Sequence, residues 1–253
     1  GSVKKVRVMH YGDSQIEGDR ITAYVRNEFQ NEYGGQGPGL IPIVEGVPSA
    51  SIKQSNSDNW YRFTLFGRPD TNILHNRYAP LGSLGMFTYP LIDSLRPDTA
   101  MKTAWIEFSQ SGMAKKRARE YSELTLYYGY ATKETIVSTY IEDSLKRFDE
   151  LKVGDGFQSI KWNFPTTPKK LRLEFEGTES PEFYAFSFEG SRGVIVDNIA
   201  MRGSSGTLFK KMNHNQLASF LQNKNVELFI LQYGGNTVPY IKNKEQAVTY
   251  GGW

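Results

Sequence analysis

The chain has 253 residues, 30 basic against 27 acidic side chains, no cysteine and three histidines. This near-neutral balance calls for neither nucleic acid nor an anionic membrane as partner, and the absence of thiols excludes cysteine nucleophiles, thiolate metal sites and disulfides. His10, His75 and His214 are too few for a His-rich metal site, the function reached below requires no metal or organic cofactor, and no run approaches the ~20 apolar residues of a membrane helix.

In chain order, Gly1-Ser2 has the form of a cloning remnant, so a removed secretion signal stays open. Val6, Val8 and Met9 form a short apolar run that reads as a buried strand and ends in Gly12-Asp13-Ser14. Downstream, Ile21, Val25 and Phe29 fall at helical spacing and Gly34 offers a stop. Ser14 then sits at a strand-to-helix corner, either as an ordinary helix cap or as a nucleophile favoured by the positive helix end. Asp13 is expected to hold the turn and Asp19 to cap the helix. The loop Gly34-Gly35-Gln36-Gly37-Pro38-Gly39 lacks the Gly-Lys-Ser/Thr ending of a phosphate-binding loop.

From about Ser49 to Glu189 the pattern becomes short and alternating, at 60–66, 103–108, 124–128, 160–164, 171–175 and 183–188. Such strands between Gly, Pro and Asp turns predict an antiparallel β-sandwich of jelly-roll type. Its aromatic rings are expected to be mostly core, leaving any exposed ones to stack on sugars. The segment 134–151 fits either a helix or a strand and turn.

Beyond Gly190 continuous apolar runs return at 193–201 and 226–232, with Leu208, Met212, Leu217, Phe220 and Leu221 between them at the spacing of an amphipathic helix. Strand, helix, strand implies a parallel sheet. The expected organisation is therefore an α/β domain made from residues 3–48 and 190–253, interrupted by a β-sandwich at 49–189.

Three of the expected parallel strands end in small-residue loops: Gly12-Asp13-Ser14, Arg202-Gly203-Ser204-Ser205-Gly206 and Tyr233-Gly234-Gly235-Asn236. Loops at the carboxyl ends of such strands converge on one crevice. There Ser14 offers a nucleophile, and the Gly206 N–H and Asn236 amide offer donors to an oxyanion. Taken singly, Gly206 also fits a turn glycine and Asn236 a loop cap.

Gly12-Asp13-Ser14, Gly206 and Gly234-Gly235-Asn236 resemble the first three sequence blocks of the SGNH (GDSL) hydrolases. The resemblance implies a flavodoxin-like α/β/α fold, ester hydrolysis, Ser14 as nucleophile, and an oxyanion hole formed by the Ser14 and Gly206 N–H groups and the Asn236 side chain. The sandwich after the first block resembles, in architecture, the carbohydrate-module-like insert of bacterial peptidoglycan O-acetylesterases.

The family draws its base from an Asp-x-x-His block near the C-terminus, and that motif does not occur here. Only three clear parallel strands are present where such sheets usually need about five. The chain is accordingly expected to be truncated after Trp253, with a missing C-terminal segment of the same protein as a partner. His10 is expected to pack beside its strand, His214 to lie at the surface or cap a helix, and His75 to belong to the insert.

The expected function is a secreted or periplasmic bacterial serine esterase that removes O-acetyl groups from a polysaccharide such as peptidoglycan, through an acyl-Ser14 intermediate. As written, the chain should be nearly inactive, because serine without an adjacent base is a poor nucleophile. A non-catalytic glycan-binding protein on the same scaffold is the alternative; a lipase or thioesterase of the same family fits less well, since no apolar lid helix is visible.

Overall fold

The computed structural model describes residues 4–90, 99–222 and 224–251; Gly1-Ser2 and Trp253, on which the expected remnant and truncation rest, lie outside them. A parallel sheet is built from β1 (Lys5–Gly12), β13 (Gly193–Ala200) and β14 (Val226–Gln232), in the order β13-β1-β14. Helix α1 (Thr22–Tyr33) follows β1 through a 3-10 turn at Ser14–Asp19, and α2 (His214–Leu221) links β13 to β14. A third helix, α3 (Lys244–Gly251), comes last.

The intervening chain forms two antiparallel sheets. One contains β2 (Gly39–Ile41), β4 (Tyr61–Thr64), β5 (Ser83–Met86), β7 (Glu123–Ala131), β10 (Gly154–Asn163) and β12 (Glu182–Glu189). The other contains β3 (Ile52–Asn56), β6 (Lys102–Gln110), β8 (Thr135–Ile141), β9 (Ser144–Leu151) and β11 (Lys170–Gly177). All six segments with alternating sequence are strands. β2, ahead of residue 48, already pairs with β12 in the first of these sheets.

Segment 134–151 is the β8–β9 hairpin, whose turn residues Glu142 and Asp143 both take positive φ, 49° and 62°. Two left-handed residues twist a hairpin turn to match its strands.

The antiparallel sheets share one core, in which Ile106, Phe108, Leu173 and Phe175 meet Leu124, Leu126, Phe183 and Phe186. On its other face the six-stranded sheet packs against the parallel sheet and α2, where Tyr127 and Tyr184 join Met9, Tyr11, Ile199 and Phe220. Being covered on both faces, β12 is buried at every position. Its polar side chains find partners: Glu189 pairs with Arg7 and Lys5, and Glu182 with Arg77.

Two expectations for the helices change. In α1 the fully buried side chains are polar, Thr22, Arg26 and Gln30, whereas Val25 and Phe29 are partly buried against Val8 and Val196, and Ile21 is exposed. The helix is held by polar groups: Arg26 Nε donates to the Val196 carbonyl at 2.7 Å and Gln30 Nε2 to the Gly37 carbonyl at 3.1 Å. The helix expected across 208–221 is broken into a 3-10 turn at Thr207–Lys211 and α2, because Asn213 caps α2 by accepting from the Gln216 N–H at 3.0 Å.

The glycine loop after α1 is a packing device. A Cβ at Gly37, whose φ is +86°, would stand 2.2 Å from the Phe188 carbonyl oxygen, so only glycine lets this backbone lie on the end of β12.

Candidate active site

β1, β13 and β14 run parallel, so the turns that follow them emerge at one end of the sheet. After β1, Asp13 accepts from the Gln15 N–H at 2.9 Å and caps the Ser14–Asp19 turn, as expected. Ser14 is half-buried, and its hydroxyl has no hydrogen-bond partner among the described residues.

Asn236 joins the other two loops to this turn. Its Nδ2 donates to Asp13 Oδ2 and to the Ser204 carbonyl, both at 3.1 Å. Gly206 extends this chain of contacts, its N–H donating to Ser204 Oγ at 3.1 Å. Gly206 has φ +87°, and a Cβ there would meet the Tyr233 ring at 3.2 Å. The three loops singled out in the sequence are therefore linked through Asn236, while no hydrogen bond joins Ser14 to Gly206 or Asn236 among the described residues. The expected oxyanion donors are engaged internally, so an incoming oxygen would have to displace the Ser204 hydroxyl from Gly206 and the Ser204 carbonyl from Asn236.

The histidines lie elsewhere. His10 is buried within β1, with Nδ1 3.0 Å from Thr22 Oγ1 and Nε2 3.1 Å from Gln232 Oε1. A neutral ring protonated on Nε2 satisfies both contacts, and burial holds its pKa below the usual imidazole value despite the Gln232 hydrogen bond. Gln232 Nε2 donates to Gln15 Oε1 at 3.0 Å, so this chain of contacts steadies the residue after Ser14. His75 lies 3.1 Å from Glu182 Oε1, and His214 is exposed at the start of α2.

Asp19 does not cap α1. It is a buried residue with φ +62° whose carboxylate takes Arg26 in two hydrogen bonds, at 2.6 and 3.1 Å, and also accepts from Ser51. The burial of Arg26, four residues into α1, creates the need for that charge.

The sequence reading also missed Glu17 and Arg202, which join the first two loops through bidentate hydrogen bonds at 2.8 and 2.7 Å. Neither is part of a local motif, and their pairing depends on the β1–β13 register. They line a cavity of about 270 Å³ with Glu45, Arg62 and Phe66, beside the Ser14 turn. Burial pushes the Glu45 carboxyl up to about 7 against a hydrogen bond from the Ser49 N–H.

Most aromatic rings of the antiparallel sheets are core, including Trp60 and Trp162. Tyr61 and Tyr89 are exposed and meet edge to face at 5.1 Å, and Asn72 Nδ2 donates to the Tyr89 hydroxyl at 2.8 Å while that hydroxyl donates to Asp70. Among the described residues, no group of three His, Asp or Glu side chains is arranged to hold a metal, and no helix is long and apolar enough to cross a membrane.

No family model matches the sequence, and no curated protein matches it. Among solved structures, the fold is similar to that of a peptidoglycan O-acetylesterase, with TM-score 0.63, 17% identity, and coverage of 97% of this chain and 60% of that one. The chain thus spans about three fifths of that structure. Weaker likenesses, covering 55% of this chain, are to a family 6 carbohydrate-binding module and to TmCBM61 in complex with β-1,4-galactotriose, with TM-scores of 0.31 and 0.26. The chain shares with that structure a fold that combines a short parallel sheet with two antiparallel ones.

Proposed function

We propose that the chain is the nucleophile-bearing part of a serine esterase that removes O-acetyl groups from a polysaccharide, peptidoglycan being the substrate named for its structural neighbour. The observation that supports this reading is the Asp13–Asn236–Ser204–Gly206 chain of hydrogen bonds, which links the turn carrying Ser14 to the other two strand-end loops. At this site, Ser14 Oγ attacks the acetyl carbonyl, and the tetrahedral oxyanion takes the Ser14 and Gly206 N–H groups and Asn236 Nδ2. The sugar oxygen then leaves with a proton, and water releases acetate from acyl-Ser14. The base that takes the Ser14 proton comes from outside the described residues, such as a further segment of the same protein. Residues 3–48 with 190–253 form the reacting domain and 49–189 a glycan-orienting, jelly-roll-type insert, in an SGNH-like arrangement acting outside the cytoplasm.

A second reading, a glycan-binding protein without chemistry, is favoured by the lack of a partner for the Ser14 hydroxyl among the described residues and by the exposed Tyr61–Tyr89 pair beside Asp70 and Asn72. Acetate release from an aryl acetate and from O-acetylated glycan, compared between the chain and its Ser14→Ala variant, separates the two. Ser14-dependent turnover supports the esterase. Equal rates, together with glycan binding that falls on Tyr61→Ala, support the binder.

A further inference from the structure

A cavity of about 550 Å³ opens where the N-terminal ends of the parallel strands meet the six-stranded sheet. It is separate from the Ser14 loops, which follow the opposite strand ends. Lys4, Lys5, Arg7, Lys161 and Lys224 line it with Glu123 and Glu189.

Both acids are already matched. Glu123 takes Lys5 and Lys161, Glu189 takes Lys5 and Arg7, and Arg7 also grips Asp197 behind the wall. Five cations thus face three carboxylates, and neither Lys4 nor Lys224 has an acidic partner among the described residues.

Lys224 is the informative one. Its Nζ donates to the Tyr127 hydroxyl at 2.7 Å and lies 4.7 Å from the centre of that ring. The backbone fixes it there: the Lys224 N–H donates to the Leu221 carbonyl, and the Arg7 N–H donates to the Asn225 carbonyl at 3.0 Å. Burial lowers its pKa, and so do the charges of Arg7, Lys5 and Lys161, which Glu189 opposes. A desolvated ammonium in a positive field is costly unless an anion joins it.

We propose that this cavity binds a tetrahedral oxyanion of the phosphate class, with Lys224 as its central contact and Lys4 at the rim. A dianion matches the excess of two positive charges, and the hydroxyl group of Ser159 on the lining suits one of its remaining oxygens. The ligand is either free phosphate or the phosphate group of a larger molecule.

The test is calorimetric and ³¹P NMR titration of the whole chain with inorganic phosphate and with glycerol 1-phosphate, at ionic strength held constant with sodium chloride. Saturable one-site binding is expected, weakened at least tenfold in Lys224→Met and less in Lys4→Gln, and unchanged in Arg202→Gln at the other end of the sheet. Tighter binding of the ester identifies a phosphorylated ligand, and equal binding identifies free phosphate. No saturable binding to the unmodified chain, or equal binding by Lys224→Met, overturns the proposal. Should Lys224→Met fail to fold, the unmodified chain decides: phosphate must shift the Lys224 and Lys161 side-chain resonances at matched ionic strength, and their staying fixed overturns it equally.

Discussion

Asn236 Nδ2 donates to Asp13 Oδ2 at 3.1 Å across 223 positions of sequence. The contact ties the turn that presents Ser14 to the loop after β14, the strand beside β1. The same carboxylate also receives the Gln15 N–H at 2.9 Å, so Asp13 holds the Ser14 turn from within and from outside.

Asp13→Ala should therefore destabilise the fold by about 1–3 kcal/mol, the cost of leaving two polar partners of a charged acceptor unsatisfied. Asn236→Ala should cost less, because Asp13 keeps its bond to Gln15. A double-mutant cycle read by urea midpoints should show coupling between the two, whereas strictly additive effects would mean that the contact contributes nothing. Where turnover is measurable, Asn236→Ala should lower kcat by about 10²–10³, the usual cost of one oxyanion donor.

Gly206→Ala should act on the same site through the backbone. A residue with a side chain at φ +87° is strained by about 1–2 kcal/mol, and the new methyl group presses on the Tyr233 ring, 3.2 Å away. The expected outcome is a small loss of stability with a larger loss of Ser14-dependent acetate release. An active, undisturbed variant would show that the Gly206 amide is not used.

How far the sequence reaches can be judged at these residues. The Gly-Asp-Ser corner, the two later loops and the six aromatic strands were legible because each is encoded by neighbours in sequence, through turn chemistry or alternation. What was not legible depends on partners distant in the chain. Arg26 looks like a solvent-facing helix residue until Asp19, Ser51 and the Val196 carbonyl surround it. β3 and β5 lack an aromatic alternation, since Ile52-Lys53-Gln54-Ser55-Asn56 reads as loop; pairing with β6 makes it a strand. The capping role expected of Asp19 failed for the same reason, because a buried guanidinium claims the carboxylate.

The Asp19–Arg26 pair gives a direct check. Both side chains are almost wholly buried, so removing one leaves the other's charge stranded, at about 3–5 kcal/mol. Asp19→Ala and Arg26→Leu should each lower the urea midpoint strongly, while the double variant should be less damaging than the sum of the singles. Single variants within about 0.5 kcal/mol of the parent would place this pair among solvated surface charges.

Acid should act through Glu189. Burial alone would raise its pKa, but Arg7 and Lys5 outweigh it and hold the carboxyl at about 2. A folded-state pKa below the usual carboxylate value means stabilisation that is present above about pH 4.5 and lost as pH falls toward 2, on the order of 3 kcal/mol. Urea midpoints at pH 6, 4 and 3 should fall more steeply in the parent than in Glu189→Gln. Parallel curves would remove Glu189 from the acid transition.

Glu45 should behave in the opposite sense. Its carboxyl lines the cavity beside the Ser14 turn and is pushed up to about 7 by burial, with the Ser49 N–H opposing. A folded-state pKa above the unfolded one means that the ionised form is disfavoured by folding, so the group costs no stability below about pH 4.5 and an increasing amount as pH rises toward 7. Glu45→Gln keeps the shape and removes the charge. Its midpoint should therefore match the parent at pH 4.5 and exceed it at pH 8, and occupation of the cavity by a neutral sugar should widen that gap by excluding water. A variant that gains nothing between pH 4.5 and 8 would mean that the ionised Glu45 carboxylate stays solvated, and the cavity would then be open enough to admit an ionised ligand group beside it.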